Sequence, residues 1–463
     1  MSLYTALVSR LLFPLHERLK KHSTVAVRRD LERSQWLAPA ELEELRLRKL
    51  RGFLGRIARD VPYYRDLFRE LGFEPGSIAS VADLTALPLL DKETIRRNSE
   101  RLIAENATDL SRFNTGGSSG EPLIFYLGKD RVSHDVAAKW RATRWWNVDI
   151  GDRELVVWGS PIELGAQDRV RLWRDRLFRT ALLPAFEMSA DNLDRFVAQI
   201  RKERPRMLFG YPSSLAMIAG HARDTGVAMD DLGIRVVFVT SERLYDNQRE
   251  AIEGVFGCPV ANGYGGRDAG FIAHECPEGS LHITAEDIIV ETVDESGSPC
   301  AAGEPGEIVV THMHTADYPF LRYRTGDVGV LATGTCSCGR GLPVLERIEG
   351  RTTDFVHAMD GTVLHGLSLI YVLRDMECVA QFRIVQESLD RTVVSVVPRG
   401  EFSGEARAHV EAQFRQRLGG DVTVDVVLVE TIEREKSGKF RYVVSHVVPG
   451  SGAGPAAEQP GAS

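Results

Sequence analysis

Apolar residues recur along this chain in two rhythms. Short runs rich in β-branched residues, Leu155-Val156-Val157-Trp158, Met207-Leu208-Phe209, Val236-Val237-Phe238-Val239 and Pro259-Val260-Ala261, have the length and composition of buried strands. Between them, residues 191–204 and 245–256 carry apolar positions at helical spacing. This alternation over residues 123–330 predicts an α/β region with mostly parallel sheets. Residues 288–293 and 307–311 predict strands of a more antiparallel part. Residues 1–112 read as mostly helical, with Pro39 suited to the first position of a helix that runs to residue 59. Residues 3–19 predict an amphipathic helix, interrupted by Arg10 and Pro14, that packs on the protein or lies on a bilayer. Past residue 351 the rhythm changes. Strands are expected at 382–385, 391–397 and 422–428, and a helix at 401–418, which suits a small α+β domain. Residues 450–463 are almost all Gly, Ala, Pro and Ser without an apolar anchor and read as a disordered tail. The expected division is therefore 1–350, 351–449 and 450–463.

Composition narrows the function. A chain of 463 residues can hold two or three domains. Its net charge of −8 gives no reason to expect nucleic acid. Six cysteines are too few for a disulfide scaffold at this size and suit the cytoplasm. No run of 18 apolar residues is present to span a membrane, and residues 3–19 lack the small-residue cleavage pattern of a signal peptide.

Chemistry concentrates in four segments. The first, Asn114-Thr115-Gly116-Gly117-Ser118-Ser119-Gly120-Glu121-Pro122, precedes the strand-like Leu123-Ile124-Phe125-Tyr126. Its glycines permit close backbone approach to a ligand. Consecutive N–H groups, joined by the hydroxyls of Thr115, Ser118 and Ser119, form an anion-binding concavity. A nucleotide polyphosphate fits, although no Gly-Lys-Ser/Thr closes the loop in the Walker manner. Next, Tyr264-Gly265-Gly266-Arg267-Asp268 ends a glycine turn in an acid that can hold Mg²⁺. Tyr323-Arg324-Thr325-Gly326-Asp327 then places an acid where it can accept two hydrogen bonds from ribose hydroxyls. Last, Lys436-Ser437-Gly438-Lys439 sets Lys439 in a short Gly-flanked loop as a mobile point charge for phosphate and carboxylate oxygens. Each segment taken singly also reads as an ordinary surface turn.

With these segments stand Val61-Pro62-Tyr63-Tyr64-Arg65, Leu87-Pro88-Leu89-Leu90-Asp91-Lys92, Gly210-Tyr211-Pro212-Ser213-Ser214-Leu215, Thr240-Ser241-Glu242 and Gly350-Arg351. From Val61 to about Val448 the chain resembles the adenylate-forming (acyl-activating) enzyme superfamily. Within it, the resemblance is to the phenylacetate–CoA ligase-like family and its capsular polysaccharide biosynthesis-type branch. An acyl-CoA synthetase-like fold is implied: a large N-terminal domain with α/β sheets and a helical N-terminal region, and a small, mobile α+β C-terminal domain. An activity is implied too. A carboxylate attacks the α-phosphorus of ATP to give acyl-AMP and pyrophosphate, and the thiol of CoA then takes the acyl group and releases AMP.

The resemblance also assigns roles. Thr115 to Gly120 would hold the β- and γ-phosphates, Tyr264 would lie along the adenine with Gly265 giving close approach, and Asp327 would bind the ribose. Asp268 would hold Mg²⁺, Arg351 would reach the ribose or phosphate side, and Lys439 would bridge the attacking carboxylate and the α-phosphate. Residues 351–354 would be the hinge that swings Lys439 away before the thiol arrives. Some positions depart from the family pattern. Leu123 stands where many members carry a Lys, Asp268 where Glu is usual, and residues 360–366 diverge where relatives line the pantetheine tunnel. Asp268 reads alternatively as the cap of a helix opening at Ala269, and Tyr264 as a core tyrosine.

Cys276, His282, Cys336 and Cys338 form an N/S set suited to structural Zn²⁺, as some relatives of the resembled family carry; unligated side chains on loops are the alternative. Cys258, Cys300 and Cys378 read as packing. The expected ligands are thus ATP, Mg²⁺, CoA, zinc and an aryl or other small organic acid, with residues 158–161 and 209–213 near the acyl pocket. A homodimer is left open. Transfer of the acyl group to an amine or hydroxyl in natural-product or capsule biosynthesis is the alternative, and a non-catalytic nucleotide-binding homologue is the second.

Overall fold

The computed structural model describes residues 2–114, 123–158, 169–185, 187–242, 244–294, 296–348, 355–432 and 443–447. The Gly-rich run at 115–120, Arg351 with the expected hinge, Lys439 and the tail at 450–463 lie outside these residues. The described residues fall into two compact units: 2–185 with 191–348, and 187–190 with 355–447. Among them no helix is long and apolar enough to cross a membrane.

The first unit is built on an eleven-stranded mixed sheet. Its parallel half runs β4 (Thr180–Pro184), β3 (Glu154–Trp158), β6 (Met207–Gly210), β7 (Val236–Thr240), β8 (Val260–Gly266). Every residue of β6 and β7 is buried, which is why these runs are continuously apolar rather than alternating. Beyond β8 every pairing is antiparallel: β9 (Gly270–Glu275), β10 (Leu281–Ile283), β14 (Val344–Ile348), β13 (Tyr323–Leu331), β12 (Pro305–His312), β11 (Ile288–Val293). Outside this sheet, β1 (Ser111–Asn114) and β2 (Ile124–Leu127) pair antiparallel, with Asn114 opposite Ile124. They flank the Gly-rich run.

The predicted helices at 39–59, 191–204 and 245–256 appear as Pro39–Asp60, Ala190–Glu203 and Asp246–Phe256. The helix Lys129–Trp145 had no counterpart in the sequence reading. It is buried along so much of its length, including Arg131 and Arg141, that it lacks a clean polar face. Residues 3–19 form Leu3–Leu7, a π-helical turn Val8–Leu12 and Phe13–Leu19. Phe13 packs edge-on against Trp140 and Phe178, with ring centroids 5.1 and 5.6 Å apart. Leu3, Leu7, Leu11, Leu15 and Leu19 are all exposed, so only one apolar face of this segment packs on the protein.

The second unit is α+β. Three short strands, β15 (Phe355–His357), β16 (Val363–His365) and β5 (Glu187–Met188), form one sheet. A four-stranded sheet has the order β19 (Thr423–Leu428), β18 (Arg391–Pro398), β17 (Val379–Ser388), β20 (Val443–Ser445). The helices Leu367–Arg374 and Gly404–Leu418 complete it, with Val410, Phe414 and Leu418 in a core that includes Phe382, Val394 and Val396. The divergent residues 360–366 take in part of the β15–β16 turn and the whole of β16.

Candidate functional site

Two segments read from sequence as turns are parts of strands. Tyr264-Gly265-Gly266 ends β8 and Tyr323 to Asp327 begins β13. Each carries an irregularity that re-aims its side chains. In the β8–β9 pairing the register shifts between Tyr264 and Gly265. In the β12–β13 pairing it shifts so that Glu307 faces Val328 while Val309 faces Arg324. Thr325, Gly326 and Asp327 therefore form a bulge, with Gly326 at φ +78°. The Thr325 hydroxyl ties the bulge down: it donates to Ile308 O at 2.8 Å and accepts from the Asp327 N–H at 3.1 Å.

The two bulged segments meet through a pair of exchanged contacts. The Tyr264 phenol donates to Asp327 Oδ2 at 3.1 Å, and the Tyr323 phenol donates to Asp268 Oδ2 at 2.6 Å. Each segment thus contributes one tyrosine and one aspartate, and each aspartate is held by the other segment's tyrosine. Asp268 does not cap a helix. Ala269 leads into β9, and the Ala269 N–H donates back to Asp268 Oδ1 at 3.0 Å. Glycine is required at 265, where a Cβ would lie 2.1 Å from the Gly270 carbonyl oxygen. From below, Arg131 supports this turn: its guanidinium pairs with Asp135 at 2.7 Å and donates to the carbonyls of Asp268 and Arg267 at 3.3 and 3.5 Å. Nothing in the local sequence pairs Arg131 with residue 268, and the sequence reading missed it.

Other quoted phrases join the same unit. Leu90 exchanges backbone hydrogen bonds with Arg322 and Arg324, both at 2.9 Å, which binds the Leu87–Lys92 phrase to the start of β13. At the C-terminal ends of the parallel strands, where open α/β sheets bind ligands, Trp158 stacks on Tyr211 with centroids 4.4 Å apart. Ser213 donates through both its hydroxyl and its N–H to Glu242, just after β7. Ser241 takes a left-handed backbone, φ +74°, to present that carboxylate. Residues 159–161 lie outside the described residues.

Cys276, His282, Cys336 and Cys338 converge, with one candidate ligand atom from each and all four within 4.8 Å of one another. The Cys276 and Cys336 sulfurs are 3.7 Å apart, and Cys338 Sγ is 3.2 Å from His282 Nε2. Two thiolates at about 2.3 Å from one tetrahedral ion would stand about 3.8 Å apart, so the donor set fits zinc. His282 turns its other nitrogen, Nδ1, to Leu342 O at 3.2 Å, the outer contact a ligating imidazole needs. Burial pushes the Cys276 thiol up to about 12 and His282 down to about 4. Burial acts to raise Cys336 as well, but hydrogen bonds from Ser280 and the Cys338 N–H outweigh it and hold Cys336 below the usual thiol range. A metal takes up a neutral imidazole and deprotonated thiols, so an ion bound here would displace the Cys276 proton.

Residues 178–317 match the AMP-binding enzyme model and residues 356–446 match the CapK C-terminal domain. Protein CapK of Staphylococcus aureus is 24% identical over 418 residues, covering 88% of this chain and 90% of that protein. A phenylacetate-coenzyme A ligase of Thermus thermophilus is 25% identical over 405 residues, covering 84% and 85%. A crystal structure of 2-hydroxyisobutyryl-CoA ligase, in complex with 2-HIB-AMP and CoA in the thioesterification state, superposes with a TM-score of 0.65 at 20% identity, covering 89% of this chain and 91% of that one. That likeness establishes the acyl-CoA synthetase-like fold. With the two family models matched in chain order and relatives that align over most of their length, the chain is similar to the adenylate-forming enzymes, and within them to the phenylacetate–CoA ligase-like family and its CapK branch.

Proposed function

We propose that this protein activates a small carboxylic acid with ATP as the acyl-adenylate and passes the acyl group to the thiol of CoA. The observation that carries the proposal is the exchanged Tyr264–Asp327 and Tyr323–Asp268 pair, which orients two carboxylates from distant parts of the chain. Asp327 takes the ribose hydroxyls and Tyr264 lies along the adenine. Asp268 is the Mg²⁺ ligand; the ion, when bound, neutralises phosphate charge. Thr115 to Gly120 cradle the β- and γ-phosphates. Arg351 and Lys439 keep the roles that the family resemblance implies, with Lys439 stabilising the charge that develops as carboxylate meets α-phosphate. In this scheme residues 351–449 act as the mobile domain, and the reaction belongs in the cytoplasm, where ATP and CoA are at hand. The four-ligand Cys/His set is a structural zinc site that pins the loop after β9 to the loop after β13.

Trp158 and Tyr211 frame the acyl group in this scheme, and a planar acid suits the stacked rings. A second reading keeps the adenylation and changes the acceptor to an amine or hydroxyl. It is favoured by the CapK C-terminal match over 356–446, the same stretch that holds the divergent β15–β16 hairpin. Carboxylate-dependent exchange of radiolabelled pyrophosphate into ATP tests the first half-reaction. Thioester formation on addition of CoA separates the two acceptors, and absence of exchange would leave a non-catalytic nucleotide-binding protein.

A further inference from the structure

A second cluster of metal-ligating side chains lies in the first unit and shares no residue with the Cys/His set. Asp130 and His134 stand four apart on the helix Lys129–Trp145 and so project from one face. His314, just past β12, reaches the same point. Asp130 Oδ2 is 3.1 Å from His314 Nδ1, and Asp130 Oδ1 is 3.8 Å from His134 Nε2. One ligand atom from each of the three lies within 4.8 Å of the others. Nitrogen and oxygen ligands at about 2.0–2.1 Å from one tetrahedral ion stand about 3.4 Å apart, a spacing that lies between these two separations.

The surroundings are those of a metal site. The two imidazoles stack face to face, with centroids 3.3 Å apart and planes 15° from parallel. Each turns one nitrogen toward Asp130 and the other toward Asp287. Asp287 is 1% exposed; its Oδ2 is 2.7 Å from His134 Nδ1 and its Oδ1 is 3.5 Å from His314 Nε2. A carboxylate behind a histidine is the usual outer support of a ligating imidazole. Here one buried carboxylate backs both rings and is itself held by Lys49 Nζ at 3.1 Å. Yet His314 Nε2, though buried, makes no hydrogen bond among the described residues. A divalent cation beside Asp130 would balance the charge of the Asp130 and Asp287 carboxylates that face the two rings. Asp130 is 40% exposed, which provides the entry path.

We propose that Asp130, His134 and His314 form a binding site for a divalent transition-metal ion of the zinc class, with Asp287 as the outer ligand and at least one coordination position open to water. A filled site would clamp the helix Lys129–Trp145 to the segment after β12. The same helix carries Arg131, whose guanidinium supports the Asp268 turn.

The test counts metal on the full-length chain. Wild type, His314→Gln and Asp130→Asn are stripped with chelator, dialysed against zinc at a buffered free concentration, and assayed by elemental analysis, with circular dichroism to confirm folding. Each variant is expected to hold one zinc equivalent fewer than the wild type. Cobalt substitution gives the matching signature: the equivalent lost in the variants lacks the thiolate charge-transfer bands of a Cys-ligated ion. Equal stoichiometry in all three folded chains overturns the proposal and leaves a hydrogen-bonded His–Asp network. The readout does not depend on adenylation, so it stands or falls separately from the proposed reaction.

Discussion

The Tyr323 phenol reaches Asp268 Oδ2 at 2.6 Å, from a strand that is not a neighbour of the one leading into Asp268. Tyr323 is fully buried, so its hydroxyl serves the carboxylate and not solvent. Tyr323→Phe keeps the ring and removes this hydrogen bond. If Asp268 holds Mg²⁺, the variant should need about 10–100 times more Mg²⁺ for half-maximal pyrophosphate exchange, the usual effect of losing an outer-shell partner. Asp268→Asn should be worse at every Mg²⁺ concentration. An unchanged Mg²⁺ dependence in both variants would remove Asp268 from metal binding.

Asp327 is expected to recognise the ribose. Loss of one or two hydrogen bonds to a charged group, about 1.5–3 kcal/mol each, should raise the KM for ATP in Asp327→Ala by about tenfold or more. Wild type should discriminate against 2′-deoxy-ATP, and Asp327→Ala should have lost that discrimination. Kinetics with the two nucleotides measures both. Tyr264→Phe should fall between them, since it leaves the carboxylate in place but removes the phenol that orients it.

Zinc at Cys276, His282, Cys336 and Cys338 should be structural. A strong chelator is expected to lower the thermal midpoint before it lowers exchange activity, and Cys336→Ser should do the same without chelator. Thermal melts run alongside the exchange assay decide the order. A melt indifferent to both treatments would leave the four side chains unligated.

Cys258 offers a control for thiol chemistry. Burial, with Glu253 adding negative charge nearby, pushes its pKa up to about 12. Because the thiolate is the reactive form, Cys258 should resist alkylation at pH 8 in the folded chain and react on unfolding. Peptide mapping after iodoacetamide treatment reads this directly. Labelling of native Cys258 at the rate of a free thiol would contradict the described environment.

The parallel half of the sheet was legible because β6 and β7 are buried on both faces and so appear as uninterrupted apolar runs. The small unit was legible at β17, β18 and β19, whose strands alternate, and less so at the three-residue strands β15 and β16. The site segments were found by composition but misread in local shape. Asn-Gly-Tyr-Gly-Gly and Arg-Thr-Gly-Asp have turn chemistry, yet both lie in strands, because bulges use glycine for the same reason turns do. The convergence of Cys276 with Cys336 was expected from residue type and the family resemblance; it depends on β9, β10 and β14 lying side by side, which no local pattern encodes. The His134–His314 stack gave no signal at all, since its members come from a helix and a loop 180 residues apart in sequence.

The most direct measurement is exchange of labelled pyrophosphate into ATP by purified, folded, metal-replete protein across a panel of free aryl and short organic acids. The account predicts exchange that depends on one or a few of those acids and falls sharply in Asp327→Ala. Protein that binds no ATP and shows no exchange with any acid would contradict it.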